Sequence, residues 1–328
     1  MLRRTMSLAI TGLRKQFGPV RALDGLQFEV PERHVYGFLG SNGAGKTTTM
    51  RIALGVLRAD GGTITWRGQD HRTLARPTWG YLPEERGLYP KMPVLQQLVF
   101  FASLQGVPHD VATKRARDWL DRFKVPEYAN RRADELSKGN QQKIQFIAAV
   151  LHDPQILLLD EPFTGLDPVN IVRMREAMLE LRDKGKTIIL STHQMETAEQ
   201  MCESVAIVDR GRTVIAGTLR DVKRSTGRRM VLMSFRGEHD LSWLASVPGA
   251  RLLRPGNQNA EIEIDNHVEA DDLLGAAVAG GARVTHFEVA DPSLEQVFIE
   301  QVGHPAEIEP GANEPAGLQS RGYGEAVA

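Results

Sequence analysis

A glycine-rich stretch in the first sixth of the chain has the composition and spacing of a phosphate-binding loop. It fits the pattern G-x-x-x-x-G-K-[ST] and reads Gly40-Ser41-Asn42-Gly43-Ala44-Gly45-Lys46-Thr47. Glycines allow successive backbone N–H groups to curl around a β-phosphate, the following helix N-terminus adds partial positive charge, and Lys46 reaches the β- and γ-oxygens. Thr47 offers its hydroxyl to Mg²⁺, and the adjacent Thr48 is predicted to contact the same nucleotide. The alternative is a glycine-rich turn with a solvated lysine.

A pair of acidic residues, Asp160 and Glu161, ends the apolar run 156–159. Such a run is typical of a strand that is buried on both faces of a parallel sheet, and ligands bind at the carboxyl ends of these strands. Asp160 can then hold Mg²⁺ directly or through water, while Glu161 can orient and deprotonate the water that attacks a γ-phosphate. The alternative, a strand that simply ends in polar residues, is disfavoured by the phosphate-binding loop upstream.

Three further motifs lie between and after these two sites. They are Leu136-Ser137-Lys138-Gly139-Asn140-Gln141-Gln142-Lys143, Gly165-Leu166-Asp167-Pro168 and Ser191-Thr192-His193. In turn, they resemble the signature, the D-loop and the switch histidine of the ABC ATPases, and the resemblance covers residues 7 to about 222. It implies an ATPase that uses ATP and Mg²⁺. It also implies that two copies dimerise head to tail and hold ATP between the phosphate-binding loop of one copy and the signature of the other.

The resemblance implies roles for five more residues. Ser137 and the backbone N–H of Gly139, at a helix N-terminus, present donors to the γ-phosphate of ATP bound by the second copy, and Asp167 contacts the same nucleotide. His193 is placed to hydrogen-bond the γ-phosphate and to sense its loss, and Phe17 stacks on the adenine. Without the family resemblance, the alternatives are a helix cap for Ser137, a structural role for His193 and a position in the core for Phe17.

Two motifs depart from the family pattern. Lys138 and Asn140 stand where the signature usually has glycine and glutamine, and Glu84 stands where the family has the glutamine of its Q-loop. Glu84 can still serve as an oxygen ligand, so Thr47, Glu84 and Asp160 are the predicted ligands of Mg²⁺. Because a third carboxylate adds negative charge beside ATP, we hypothesise that Lys138 of a second copy offsets it.

The stretch 80–89, with the sequence GYLPEERGLY, the signature and a small C-terminal unit are similar to one branch of bacterial ABC cassettes. It is the branch of sodium and drug efflux ATPases of the NatA kind, whose membrane permease is a separate polypeptide. The similarity implies the ATP-driving subunit of an exporter, peripheral at the cytoplasmic face of the cell membrane and bound to a transmembrane permease through roughly Glu84 to Leu104. The rival function is a soluble ABC ATPase in translation or DNA repair. Those proteins carry two cassettes or a long coiled coil, and this sequence has neither pattern.

The spacing of apolar residues predicts the elements that position these motifs. Residues 1–225 alternate short β-branched or apolar runs with longer helical patterns, which is typical of an α/β domain with a largely parallel sheet. Strands are predicted at 35–39, 155–159, 187–190 and 204–208. Apolar residues at helical spacing over 94–132 predict an inserted helical layer. With the family resemblance, the predicted fold class is a P-loop NTPase of the ABC type with an inserted helical subdomain.

A different pattern begins after residue 225. Strands are predicted at 230–235, 251–253, 261–264 and 284–289, and helices at 240–246, 268–279 and 294–301. This succession matches a split βαβ, ferredoxin-like α+β unit, so a small accessory domain is assigned to residues 226–302. The rest of the chain contains three prolines, several glycines and almost no large apolar residues, and residues 303–328 are predicted to be a disordered tail.

The bulk composition excludes several classes of protein. The chain has 328 residues, of which 41% are hydrophobic and 25% charged, and its formal net charge is −1. These values are typical of a globular protein of about two domains, and the balanced charge gives no reason to expect a nucleic-acid partner. Cys202 is the single cysteine, which excludes an intrachain disulfide. No apolar run approaches the roughly 18 residues that a membrane-spanning helix needs.

Overall fold

A computed structural model describes residues 6–85, 87–237, 240–256 and 258–303, so the predicted tail lies, beyond Gly303, outside the described residues. The strands are β1 (Met6–Phe17), β2 (Val20–Pro31), β3 (Val35–Leu39), β4 (Gly61–Trp66), β5 (Gln69–Asp70), β6 (Trp79–Leu82), β7 (Ile156–Asp160), β8 (Thr187–Thr192), β9 (Ser204–Asp209), β10 (Arg212–Thr218), β11 (Arg228–Phe235), β12 (Ala250–Pro255), β13 (Asn259–Asp265) and β14 (Val284–Ala290). The α-helices are α1 (Lys46–Ala53), α2 (Val94–Leu104), α3 (His109–Arg122), α4 (Lys138–Val150), α5 (Pro168–Asp183), α6 (Met195–Glu199), α7 (Leu219–Arg224), α8 (Ala270–Ala279) and α9 (Leu294–Val302).

The central sheet has six strands in the order β10-β9-β3-β8-β7-β6, and all of them run parallel except the antiparallel edge strand β10. Strands β3, β7 and β8 are buried along their whole length, as continuous apolar runs predict for the middle of a parallel sheet. The register pairs Leu39 with Thr192 and Asp160 with Ser191. The motifs that follow these strands therefore meet at one end of the sheet, and the predicted α/β fold is confirmed.

A second, antiparallel sheet has the order β2-β1-β4-β5, and the spacing of apolar residues does not predict it. Four register shifts interrupt the pairing of β1 with β2, and such irregularities break the period-two alternation by which strands are recognised. Leu23 of β2 shares one core with Phe38 of β3 and Met50 of α1. This sheet therefore helps to anchor the helix that follows the phosphate-binding loop.

Helices α2 and α3 form the predicted inserted helical layer and pack against α4. Buried apolar side chains of all three helices join one core. Phe146 of α4 meets the rings of Trp119 and Phe123 edge-on, with ring centroids 6.0 and 5.7 Å apart, an arrangement that aromatic rings favour. Within the predicted segment 94–132, α3 ends at Arg122 and a short 3₁₀ helix follows at Pro126–Tyr128.

The C-terminal sheet has the order β12-β13-β11-β14 and is antiparallel throughout. If β11 to β14 are renumbered 1 to 4, the strand order is 2-3-1-4, which agrees with the predicted ferredoxin-like arrangement. One face of the sheet is covered by α8. The α-helix expected at 240–246 is wrong in type, because the structure has a 3₁₀ helix at Ser242–Ser246. Pro248 follows too closely for an α-helix to extend.

Helix α9 joins the C-terminal unit to the first part of the chain. Leu294 and Phe298 lie in the same core as Cys202, outside the core of the C-terminal sheet. The carboxylate of Glu199, at the end of α6, accepts the backbone N–H of Leu294. The C-terminal unit is therefore packed against α6, the short helix that begins directly after the His193 motif.

Candidate functional site

The phosphate-binding loop is built between β3 and α1, and two of its positions accept only glycine. A Cβ at Gly40 would lie 2.3 Å from the carbonyl oxygen of Val208, and a Cβ at Gly45 would lie 2.8 Å from that of Ala22. Gly45 also has a φ of +104°, in the left-handed region that favours glycine. The sharp turn at Gly45 lets α1 begin at Lys46, with its N-terminus directed at the loop.

Lys46 lies beneath the loop, with 7% of its surface exposed. Its Nζ donates hydrogen bonds to the carbonyl oxygens of Gly40 and Ser41, at 2.8 and 3.0 Å. Burial lowers the pKa of Lys46, and three nearby carboxylates oppose this effect. An ammonium group at this position can make charge-assisted hydrogen bonds with phosphate oxygens that enter the loop.

Asp160 is almost completely buried, with 1% of its surface exposed. Its Oδ1 accepts the hydroxyl hydrogen of Ser191, while its Oδ2 is buried and has no hydrogen-bond partner among the described residues. A buried carboxylate oxygen without a partner is costly unless a ligand or water completes it. Thr47 and Glu84 line the same cavity, and hydroxyl and carboxylate oxygens are the donors that Mg²⁺ prefers. These residues therefore fit a bound Mg²⁺.

Glu161 and His193, the two predicted catalytic residues, contact each other. Glu161 Oε1 accepts from the backbone N–H of His193 at 3.0 Å and lies 2.7 Å from His193 Nδ1, and its Oε2 accepts from the Thr192 hydroxyl at 3.2 Å. Glu161 has a φ of +46°, a strained backbone position for a residue with a side chain. The carboxylate is thus held in one orientation. Spacing along the chain does not reveal this pair, which depends on the parallel pairing of β7 with β8.

One cavity of about 300 Å³ collects nine of the predicted site residues, six from the phosphate-binding loop and the start of α1 and three acidic residues. Its lining comprises Ala22, Asn42, Gly43, Gly45, Lys46, Thr47, Thr48, Glu84, Asp160 and Glu161. Gly40, Ser41 and Ala44 belong to the same loop but do not line the cavity. Ala22 was not predicted, since its place beside the loop depends on the packing of β2. Burial and the neighbouring carboxylates of Asp160 and Glu161 raise the pKa of Glu84.

The signature residues lie elsewhere. The hydroxyl of Ser137 caps α4 by accepting the N–H of Asn140 at 3.3 Å, and Asp167 caps α5 by accepting the N–H of Asn170 at 2.9 Å. A Cβ at Gly139 would lie 2.7 Å from the carbonyl oxygen of Gly165, so the start of α4 packs directly on the D-loop. Ser137, Gly139 and Asp167 do not line the phosphate-loop cavity of their own chain.

Phe17 ends β1 and has 44% of its surface exposed, so it is not a core residue. The ammonium nitrogen of Lys15 lies 5.3 Å from the centroid of the Phe17 ring, within the range of a cation–π contact. An exposed aromatic ring is available for stacking, but Phe17 does not line the phosphate-loop cavity. The structure therefore does not place Phe17 in the cavity that Lys46 and the other loop residues line.

A glycine-rich loop between a parallel strand and a helix, beside a strand that ends in Asp160 and Glu161, defines the class of P-loop nucleoside triphosphatases. Comparison with known proteins then gives the family. The family model "ABC transporter" matches residues 23–164, and the model "ATP-binding protein DrrA1-3-like, C-terminal domain" matches residues 217–302. The chain is 44% identical to the ABC transporter ATP-binding protein YhaQ of Bacillus subtilis, over 90% of this chain and 98% of YhaQ. This chain belongs to the family of ABC transporter ATP-binding proteins.

Two further comparisons agree. The chain is 30% identical to the daunorubicin/doxorubicin resistance ATP-binding protein DrrA of Streptomyces peucetius, over 92% of this chain and 94% of DrrA. A solved structure of the ATP-binding subunit of an ABC transporter is 31% identical and superposes with a TM-score of 0.63, over 67% of this chain and 93% of that one. The protein is therefore the ATP-hydrolysing subunit of an ABC transporter. The rival function in translation or DNA repair finds no support. In the described part of the chain, no helix has the length and apolar character needed to cross a membrane.

Proposed function

We propose that two copies of the chain dimerise head to tail, each binding ATP and Mg²⁺ at its own phosphate-binding loop. The observation that carries this proposal is the division of the predicted site. Lys46, Asp160 and Glu161 line one cavity, while Ser137 and Gly139 lie outside it. A second copy in the opposite orientation would bring its signature over the cavity, and a two-fold axis would complete both sites equally.

In this site, each residue has a chemical task. The loop N–H groups and Lys46 bind the β- and γ-phosphates, and Glu161 accepts a proton from water as the water oxygen bonds to the γ-phosphorus. The bond from that phosphorus to the β–γ bridging oxygen breaks, which yields ADP and phosphate. His193 orients Glu161 and contacts the γ-phosphate. Thr47, Glu84 and Asp160 would hold Mg²⁺, which would supply positive charge to neutralise the phosphate oxygens.

We propose that ATP binding and hydrolysis by this dimer drive the movement of a separate transmembrane permease. Binding to this permease would place the chain at the cytoplasmic face of the membrane. A groove of about 810 Å³ supports this proposal, and Leu88, Phe101 and Leu104 are among its lining residues. It overlaps the region 84–104 predicted for the permease contact. Val56 and Leu104, which also line it, expose 68% and 66% of their surfaces. An exposed apolar groove suits a helical segment of a partner.

We further propose that the transporter is an exporter, and that the chain divides into a cassette at 1–225 and an accessory domain at 226–302. Export is supported by the relative DrrA, whose name records drug resistance, and by the match of the C-terminal region to the DrrA-like family. The narrower similarity to the NatA branch stays a proposal on the motifs at 80–89 and 136–143.

Replacing Glu161 with glutamine tests the proposed reaction. The amide keeps the size of the side chain but cannot take a proton from water, so phosphate release should fall by roughly 10²–10⁴-fold. Binding of ATP should persist, and light scattering should show a nucleotide-dependent dimer. Glu196→Gln makes the same change at an exposed position on α6 and should leave the rate unchanged. Hydrolysis by Glu161→Gln at the parental rate would rule out Glu161 as the base.

A further inference from the structure

The cavity that the phosphate-binding loop lines has more negatively than positively charged side chains. Among the residues that the structure describes, its lining includes three carboxylates, those of Glu84, Asp160 and Glu161, and one cation, Lys46. The Lys46 ammonium already donates to two carbonyl oxygens of the loop. A polyanionic nucleotide without a metal ion therefore meets like charges that Lys46 does not balance.

The same cavity shows where a divalent cation would be received. Asp160 lines this cavity, and its Oδ2 is buried and has no hydrogen-bond partner among the described residues. Among the described residues, in this cavity and outside it, no three or more acidic, histidine or cysteine side chains are arranged to hold a metal ion without further ligands. Phosphate oxygens must then complete the ligand set, so the metal arrives with the nucleotide.

We propose that Glu84 makes nucleotide binding depend on a divalent cation, by repelling metal-free nucleotide and attracting the metal–nucleotide complex. This inference rests on the proposed nucleotide site and goes beyond it, because it assigns to Glu84 the selection of the metal–nucleotide complex. Of the three carboxylates, Glu84 is the one that belongs neither to the phosphate-binding loop nor to the acidic pair at the end of β7. Glu84 lies just beyond β6, and its side chain is more exposed than those of Asp160 and Glu161. It can therefore be neutralised without disturbing a buried hydrogen bond.

The two effects of Glu84 have opposite signs, which separates them from a structural role. Removing the charge should strengthen the binding of metal-free nucleotide, since one repelling group is lost. It should weaken the binding of the magnesium complex, since one attracting oxygen charge is lost. By linkage, the factor by which Mg²⁺ enhances nucleotide binding equals the factor by which nucleotide enhances Mg²⁺ binding, so both should fall together.

The experiment compares the full chain with Glu84→Gln by calorimetric titration of the non-hydrolysable analogue AMP-PNP, first with EDTA and then with Mg²⁺. The dissociation constant in EDTA divided by the dissociation constant in Mg²⁺ should be about tenfold smaller for Glu84→Gln than for the parent. This factor is on the scale of one screened charge interaction. Electron paramagnetic resonance of Mn²⁺ supplies a second readout, because nucleotide should recruit less Mn²⁺ to the variant. Glu85→Gln is the matched control: it makes the same change one residue along, at an exposed side chain that does not line the cavity.

ADP separates an effect within one chain from an effect on dimer closure, because it has no γ-phosphate to meet a second signature. The ratio should fall with ADP as it does with AMP-PNP. An unchanged ratio, a change in the same direction with and without metal, an equal effect of Glu85→Gln, or an effect confined to AMP-PNP would each overturn the inference while leaving the nucleotide site intact. Failure of the parental chain to bind Mg²⁺–AMP-PNP would instead overturn the proposed function.

Discussion

The two faces that ATP would bridge are built in different ways. The phosphate face, formed by the loop 40–47 with Asp160 and Glu161, contains buried charged groups that share one cavity. The signature face, formed by Ser137, Gly139 and Asp167, has its polar side chains in helix caps, and Ser137 and Asp167 are exposed. Buried, preorganised groups can hold phosphate alone, whereas exposed caps can only add donors to a nucleotide that is already held. The comparison predicts that the phosphate face controls binding and the signature face controls hydrolysis.

The two faces are also connected within one chain. Gln142 of α4 donates through Nε2 to the carbonyl oxygens of Glu161 and Pro162, at 3.3 and 3.1 Å. The helix that begins at the signature is thus bonded to the segment that follows the acidic pair of β7. A displacement of α4 by a partner would therefore shift the backbone at Glu161, even though Ser137 lies outside the phosphate-loop cavity.

The largest effect is expected from Lys46→Ala on the phosphate face. Loss of charge-assisted hydrogen bonds to phosphate removes about 1.5–3 kcal/mol per bond, so the dissociation constant for ATP should rise by about tenfold to a hundredfold. An equilibrium titration with a fluorescent ATP analogue measures it. The control is Lys184→Ala, which deletes the same charge at an exposed position at the end of α5, outside the phosphate-loop cavity and the signature, and it should bind nucleotide as the parent does. Equal affinities of Lys46→Ala and the parent would break the comparison.

A smaller effect is expected from Gly139→Ala on the signature face. The added methyl group would lie 2.7 Å from the Gly165 carbonyl oxygen, so the start of α4 must move off the D-loop. This strain should cost about 1–3 kcal/mol of stability in a denaturant titration and lower hydrolysis, while nucleotide affinity at the phosphate face is kept. Gly275→Ala places its methyl group in open space on α8 and should stabilise by about 0.4–1 kcal/mol. A Gly139→Ala chain that is as stable and as active as the parent would contradict the close packing.

The parts of the site that lie within one stretch of sequence could be predicted from sequence. The loop 40–47 and the acids after β7 are local patterns in which each residue type is required by its own backbone geometry or charge. The parallel strands 35–39 and 187–190 were predicted because burial on both faces leaves continuous apolar runs.

Features that depend on distant pairing could not be predicted in this way. The contact of Glu161 with His193 follows from the register of β7 and β8, and the place of Ala22 beside Gly45 follows from the packing of β2. The antiparallel sheet β2-β1-β4-β5 was not predicted from the spacing of apolar residues, because the register shifts between β1 and β2 interrupt the alternation by which strands are recognised. The short 3₁₀ helix at Ser242–Ser246 has too few residues for its periodicity to distinguish it from an α-helix.

The central claim, that the signature of one copy completes the nucleotide site of another, is tested most directly at Ser137. Aspartate and asparagine both cap helices as well as serine does, so Ser137→Asp and Ser137→Asn should keep α4 folded. Only aspartate places a negative charge against the γ-phosphate of a second copy. In the Glu161→Gln background with ATP and Mg²⁺, light scattering should give a dimer for Glu161→Gln alone and with Ser137→Asn, and a monomer with Ser137→Asp. A dimer that forms equally well with Ser137→Asp would contradict the account.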